Sequence, residues 1–186
     1  MIRMQEPSLC INSHDVPGPR YKMWRTVELQ AGAGIPDVVR QIIHANTQSV
    51  ANGGRGLRNI VINSHGFPGG LWIGGELDTD HQIDAVNVRQ FEAVKRLNVG
   101  PIWLVACRAA RGADGIAFCQ RLAAAASTLV IASDDYQDVG VWGTVRYYTT
   151  PVSGLIDEFE GTVHIFKANG SYTKGEDPSD AVYSTY

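Results

Sequence analysis

Cysteine is scarce in this chain of 186 residues: there are three, Cys10, Cys107 and Cys119. No two of them stand in CxxC spacing, and an odd number leaves at least one thiol without a partner inside the chain. That argues against a disulfide framework and against a thiolate zinc site. A reducing compartment follows, or a life after export that does not depend on disulfides. Long apolar runs are missing too. None approaches the roughly 18 to 20 residues of a membrane span, and the opening "MIRMQEPSLC" lacks the apolar stretch of a signal peptide. The expectation is a protein with no membrane partner, cytoplasmic or exported without a classical signal peptide. Basic residues form no stripe. With 16 Lys and Arg against 19 Asp and Glu, the net charge is -3, so nucleic acid is not an expected partner. His44, His81 and His164 show no metal-ligand spacing, and His14 and Asp15 sit in a Pro/Gly turn that reads as surface. No metal and no cofactor is expected. Linkers and low-complexity tracts are absent as well.

What is present is the balance of a globular protein, 44% apolar and 19% charged. The length suits one α/β domain over residues 1–186, with a core over about 8–143 and a C-terminal hairpin extension over about 144–186. Short apolar runs alternate with helical periodicities, as in parallel α/β folds. "SLCIN" and "KMWRTVELQ" read as early strands around the turn "HDVPGPR". "GIPDVVRQIIHANTQSV" reads as a helix with Pro36 in its first turn and Val39, Ile42, Ile43 and Val50 on one face. Three nearly continuous apolar runs, "LRNIVIN", "PIWLVAC" and "TLVIAS", have the pattern of central strands buried on both faces. Between them lie a short hairpin or irregular excursion around "GGLWIGGEL" and two helices. "DAVNVRQFEAVKRL" repeats Val88, Phe91, Val94 and Leu97 three apart, and "ADGIAFCQRLAAAAS" buries Ile116, Cys119, Leu122 and Ala126. "GTVHIFKANGSYTKG" predicts a β-hairpin with a type I′ turn at Asn169-Gly170. One echo, "INSHD" from 11 and "INSHG" from 62, is too short to count as a repeat.

In open parallel sheets, ligands bind beyond the carboxyl ends of the strands. Three such ends are legible: Ser64-His65-Gly66, Ala106-Cys107-Arg108 and Ser133-Asp134-Asp135. Consecutive strands tend to be neighbours, about 4.8 Å apart, which would bring His65 and Cys107 to one rim. A thiol beside an imidazole is a nucleophile with its base. Gly66 would let the backbone approach a substrate and offer its N–H to an oxyanion. Arg108 and Arg111 follow the thiol closely enough to favour its anion, or point to solvent. Cys119 lies on an apolar helical stripe and reads as core, and so does Cys10.

A strand ending "IVINSHG" and, roughly 40 residues on, a strand ending "IWLVAC" resemble the caspase-like cysteine peptidases of clan CD, whose motifs are an apolar strand capped by His-Gly and another ending in Ala-Cys. The likeness covers about residues 8–143. Val105 stands where an acidic residue or Gln often precedes Ala-Cys, so the match is to the clan and not to caspases proper. The stretch "CRAARGADGIAFCQRLAAAASTLVIASDD" is similar to an uncharacterised caspase-related domain of bacterial surface and secreted proteins. The resemblance implies a three-layer α/β/α caspase-like fold with a mainly parallel sheet. It also implies a cysteine endopeptidase acting on a protein or peptide through a thioacyl-enzyme. His65 would be the general base and Cys107 the nucleophile, with the N–H groups of Gly66 and Cys107 as the oxyanion hole. The region after the third strand would line the pocket for the residue preceding the cut. Asp134 and Asp135 there would favour Arg or Lys, with Tyr136 and Trp142 as further walls. A bacterial effector or a partner-processing protease would fit such a molecule.

Two other readings stand beside this one. A caspase-like scaffold could bind partners with its dyad unused. "HGFPGG" also resembles the oxyanion loop of α/β-hydrolases, but the G-x-S-x-G elbow of that class is missing and its place is taken by "VACRA".

Overall fold

The computed structural model describes residues 1–16, 20–75, 81–137, 141–142, 145–146 and 153–175. The N-terminal residues Ile2–Arg3 form β1, and Ser8–Asn12 form β2. Strand β3 (Arg25–Glu28) precedes α1 (Ile35–Ala51), and β4 (Asn59–Asn63) follows it. Three short strands come next: β5 (His65–Phe67), β6 (Gly70–Trp72) and β7 (Gln82–Asp84). A 3₁₀ helix over Val88–Leu97 leads into β8 (Ile102–Val105), and α2 (Gly112–Ala126) into β9 (Val130–Ser133). The short pairs β10 (Val141–Trp142) and β11 (Val145–Arg146) precede β12 (Leu155–Ile156). Strands β13 (Val163–Phe166) and β14 (Tyr172–Lys174) complete the described chain.

The main sheet has seven strands in the order β14-β13-β9-β8-β4-β2-β3. The five from β9 to β3 are mutually parallel, while β13 and β14 run antiparallel at one edge. The sheet is therefore mixed and mainly parallel, with the C-terminal hairpin built into it. Register explains the continuous apolar runs. Leu9, Ile60, Ile102 and Val130 form one row across the sheet, and Cys10, Val61, Trp103 and Ile131 form the next. Successive residues face opposite sides, and both sides are packed. The first row belongs to the core beneath the helices, the second to the core on the far face.

The buried apolar side chains of α1, the 3₁₀ helix and α2 all belong to the same one of these two cores. Among the described residues no helix covers the other face, which Ile2, Met4, Tyr21, Met23, Ile156 and Phe159 pack instead. Of the expected three-layer α/β/α arrangement, the described residues carry the sheet and one helical layer. Crossover handedness supplies the reason. Each helical connection, β3 to β4, β4 to β8 and β8 to β9, moves across the sheet in the same direction. A right-handed rule then places all of them on one face. Only β2 to β3 moves the other way, and the described residues of its connection, 13–16 and 20–24, form no helix.

Other details depart from sequence expectation for local reasons. Val50 lies on the solvent side of α1, 53% exposed, and the buried stripe runs through Ile35, Val38, Val39, Ile42 and Ala45. The second predicted helix is a 3₁₀ helix, whose three residues per turn eclipse positions i and i+3. The hairpin turn is not type I′, which needs positive φ at both central residues. Only Gly170 has it, at 85°, and Lys167 N–H pairs with the Ser171 carbonyl at 2.8 Å around a three-residue loop.

Candidate active site

Along the chain the parallel strands come in the order β2, β3, β4, β8, β9, but across the sheet β2 sits between β3 and β4. The strand order therefore reverses between β2 and β4, and in such sheets a crevice opens there beyond the carboxyl ends. The two "INS" stretches flank this point in register, with Asn12 opposite Asn63. The Asn63 side-chain amide donates to Asn12 Oδ1 at 2.8 Å. Asn12 also bonds the Tyr21 backbone in both directions, each at 3.2 Å. This buried polar layer fixes how the chain leaves β2, and so where Asp15 lands. Ser13 N–H donates to the Asn63 carbonyl at 2.8 Å, and its hydroxyl to Asp15 Oδ1 at 3.0 Å.

His65 starts β5 immediately beyond this layer. Its Nε2 lies 3.2 Å from the Asp15 carbonyl oxygen and 4.0 Å from Asp15 Oδ2. A carbonyl can only accept, so Nε2 carries the proton and Nδ1 of the neutral ring holds the lone pair. Asp15, which the sequence assigned to a surface turn, is the residue that orients the imidazole. The signal that could have found it is the echo "INSHD", whose position beside "INSHG" only a sheet register reveals.

Gly66 joins the two strand tips. A Cβ there would lie 2.4 Å from the Cys107 carbonyl oxygen, 3.0 Å from its nitrogen and 2.9 Å from Ala106 Cβ. Only glycine permits that approach, so the backbone after His65 rests directly on the backbone of Cys107. A hairpin closed by Pro68 and Gly69 pairs Phe67 with Gly70. Antiparallel alternation then turns the Gly66 N–H away from β6.

Cys107 is half-buried, whereas Cys10 and Cys119 are sealed in the two cores. Loss of solvent pushes both buried thiols well above the usual thiol range. The Gln137 N–H donates to Cys107 Sγ at 3.4 Å, and Sγ lies 4.0 Å from the Gln137 carbonyl. His65 and Cys107 are not hydrogen-bonded to each other: sulfur meets Gln137 and imidazole meets Asp15. Arg108 adopts a left-handed φ of 57°. Its N–H donates to the Asp135 carbonyl at 2.8 Å, and its guanidinium lies 4.3 Å from the centroid of the exposed Tyr136 ring. Arg111 is exposed at the start of α2.

The two aspartates differ. Asp134 Oδ1 accepts from Thr162 N–H at 2.8 Å, and Oδ2 lies 3.4 Å from His164 Nε2. Burial pushes its carboxyl up, but the Thr162 N–H and His164 outweigh that and hold it below the ordinary value. Asp134 therefore fastens β13 to β9. Asp135 is exposed, and among the described residues its carboxylate accepts only from the next residue's N–H, at 2.8 Å. The side chain of Trp142 lies outside the described residues. Among the described residues no group of three His, Cys, Asp or Glu could hold a metal ion, and no helix is long and apolar enough to cross a membrane.

No curated protein matches the chain. A family model does match, over residues 25–141, a span that contains His65, Gly66, Cys107, Asp134, Asp135 and Gln137 but not Asp15. On that match, the chain belongs to the family described as a domain of unknown function, DUF4347.

Proposed function

We propose that the protein is a caspase-like cysteine endopeptidase in which Cys107 is the nucleophile and His65 the general acid and base. The observation that carries the reading is the seat of Gly66 on the Cys107 backbone. It puts an oriented imidazole and the half-buried thiol at adjoining strand ends beside the reversal of strand order. His65 Nδ1 takes the thiol proton, and the sulfur attacks the peptide carbonyl carbon. The N–H groups of Gly66 and Cys107 receive the oxyanion. The imidazolium returns its proton to the leaving amine as the C–N bond breaks, leaving a thioester. Water, deprotonated by the same nitrogen, then releases the acid and the thiolate. Asp15 supports the imidazolium, and the Gln137 N–H holds the sulfur in place. Asp135 is the carboxylate free to meet a basic side chain before the cut, because Asp134 is taken by Thr162 and His164.

The test is cleavage of a peptide library by the wild type and by Cys107→Ala. Loss of all cleavage with an unchanged melting temperature is expected, together with a preference for Arg or Lys. Residual cleavage by the variant would remove Cys107 from the mechanism, and a preference for Asp would remove Asp135 from the pocket. One observation favours a second reading, a scaffold with an idle dyad: the contact of sulfur with Gln137 in place of His65. An unreactive Cys107 would select it.

A further inference from the structure

A groove of about 670 Å³ runs between the 3₁₀ helix and the C-terminal half of α2, away from His65 and Cys107. Its lining includes four cations, Arg89, Lys95, Arg96 and Arg121, and one carboxylate, Glu92. Among the described residues none of these cations lies within ion-pair distance of a carboxylate, Glu92 included. A net charge of -3 for the whole chain makes this local excess of positive charge run against the rest of the surface. The spacing follows from the helix type. In a 3₁₀ helix, positions three apart eclipse, so Arg89, Glu92 and Lys95 form one row. Arg121 is fixed across the groove, its guanidinium donating to the Ala85 carbonyl at 2.9 Å. The lining also includes Ala85, Val88, Ala124 and Ala125, and Val86 is 81% exposed beside them.

We propose that this groove docks an acidic segment of a partner protein that also carries apolar side chains. Charge complementarity supplies the acidic requirement, and the apolar lining the rest. From Arg89 to Arg96 the 3₁₀ helix rises about 14 Å, which four or five extended residues cover. Nucleic acid fits less well. Glu92 stands in the row of cations, and the apolar lining has nothing to offer a phosphate backbone.

Fluorescence anisotropy tests the proposal, with the Cys107→Ala protein so that the result is independent of any peptidase activity. The probe is a labelled peptide of alternating Glu and Leu, about six residues long. A Gln/Leu peptide and a short single-stranded oligonucleotide serve as controls. The Glu/Leu peptide is expected to bind, to lose affinity as salt shortens the Debye length, and to bind at least about tenfold more weakly to a protein carrying Arg89→Glu and Lys95→Glu. Should the double reversal lower the melting temperature, Arg89→Gln with Lys95→Gln takes its place and must also weaken binding. The proposal is overturned by no binding up to about 1 mM peptide, by equal affinity for the substituted protein, or by tighter binding of the oligonucleotide.

Discussion

His65 donates a hydrogen bond from Nε2–H to a backbone carbonyl, and that contact leaves Nδ1 as the nitrogen open to the role of base that we propose. The Asp15 carboxylate, 4.0 Å away, adds a charge that matters only once the ring is protonated. At this distance the Coulomb energy runs from about 1 kcal/mol in water to about 4 at an effective dielectric of 20. Both side chains are partly solvated, at 20% and 27% exposure, so the lower part of that range applies. Asp15→Asn keeps the carbonyl and removes the charge. It is expected to lower kcat/KM by about tenfold to thirtyfold while the melting temperature stays put, and an unchanged kcat/KM would show that the carboxylate does not assist. His65, Gly66 and Cys107 were legible in the sequence because their residue types are out of place at the tips of apolar strands. Asp15 was not, since its role comes from a contact across the sheet's reversal point. Gln137 could not be read at all: its contact with Cys107 Sγ is made by the main-chain N–H, and any residue but proline supplies one.

Among the elements, β9 and β13 hold the edge of the candidate site through the bonds of Asp134 to Thr162 and His164. A carboxyl held below its ordinary value in the folded state contributes stability above its unfolded value, and that contribution is lost as pH falls through the lowered one. Asp134→Asn is therefore expected to melt earlier than the wild type at neutral pH, with the gap narrowing as acid protonates the carboxyl. Melting curves across a pH series check this, and a gap that stays constant into acid would contradict it. The central strands were readable because burial on both faces removes polar alternation altogether. The Val88, Phe91, Val94 and Leu97 repeat held information that a general helical reading left unused. A strict interval of three matches 3₁₀ geometry, and the first three of these are buried while Leu97 packs partly against the same core. The hairpin was found from Asn169-Gly170, but its turn type was misjudged, because the flanking pair Lys167 and Ser171 sets the loop length.

Over the whole molecule, the strand order and the direction of each crossover decide where helices can sit and where a crevice opens. The sequence contains the helices but not their handed placement, so the gathering of the described helices on one face was not legible in it, while the adjacency of the strands that end near His65 and Cys107 was. Two thiols end in sealed cores and one lies half-buried just beyond the end of β8. This difference provides the most direct measurement: site-resolved alkylation of native protein by iodoacetamide, followed by mass spectrometry, in the wild type and in His65→Ala. The account predicts modification of Cys107 ahead of Cys10 and Cys119, slowed when the imidazole is removed. Equal labelling of all three thiols, no labelling of Cys107, or a rate at Cys107 indifferent to His65 would contradict it.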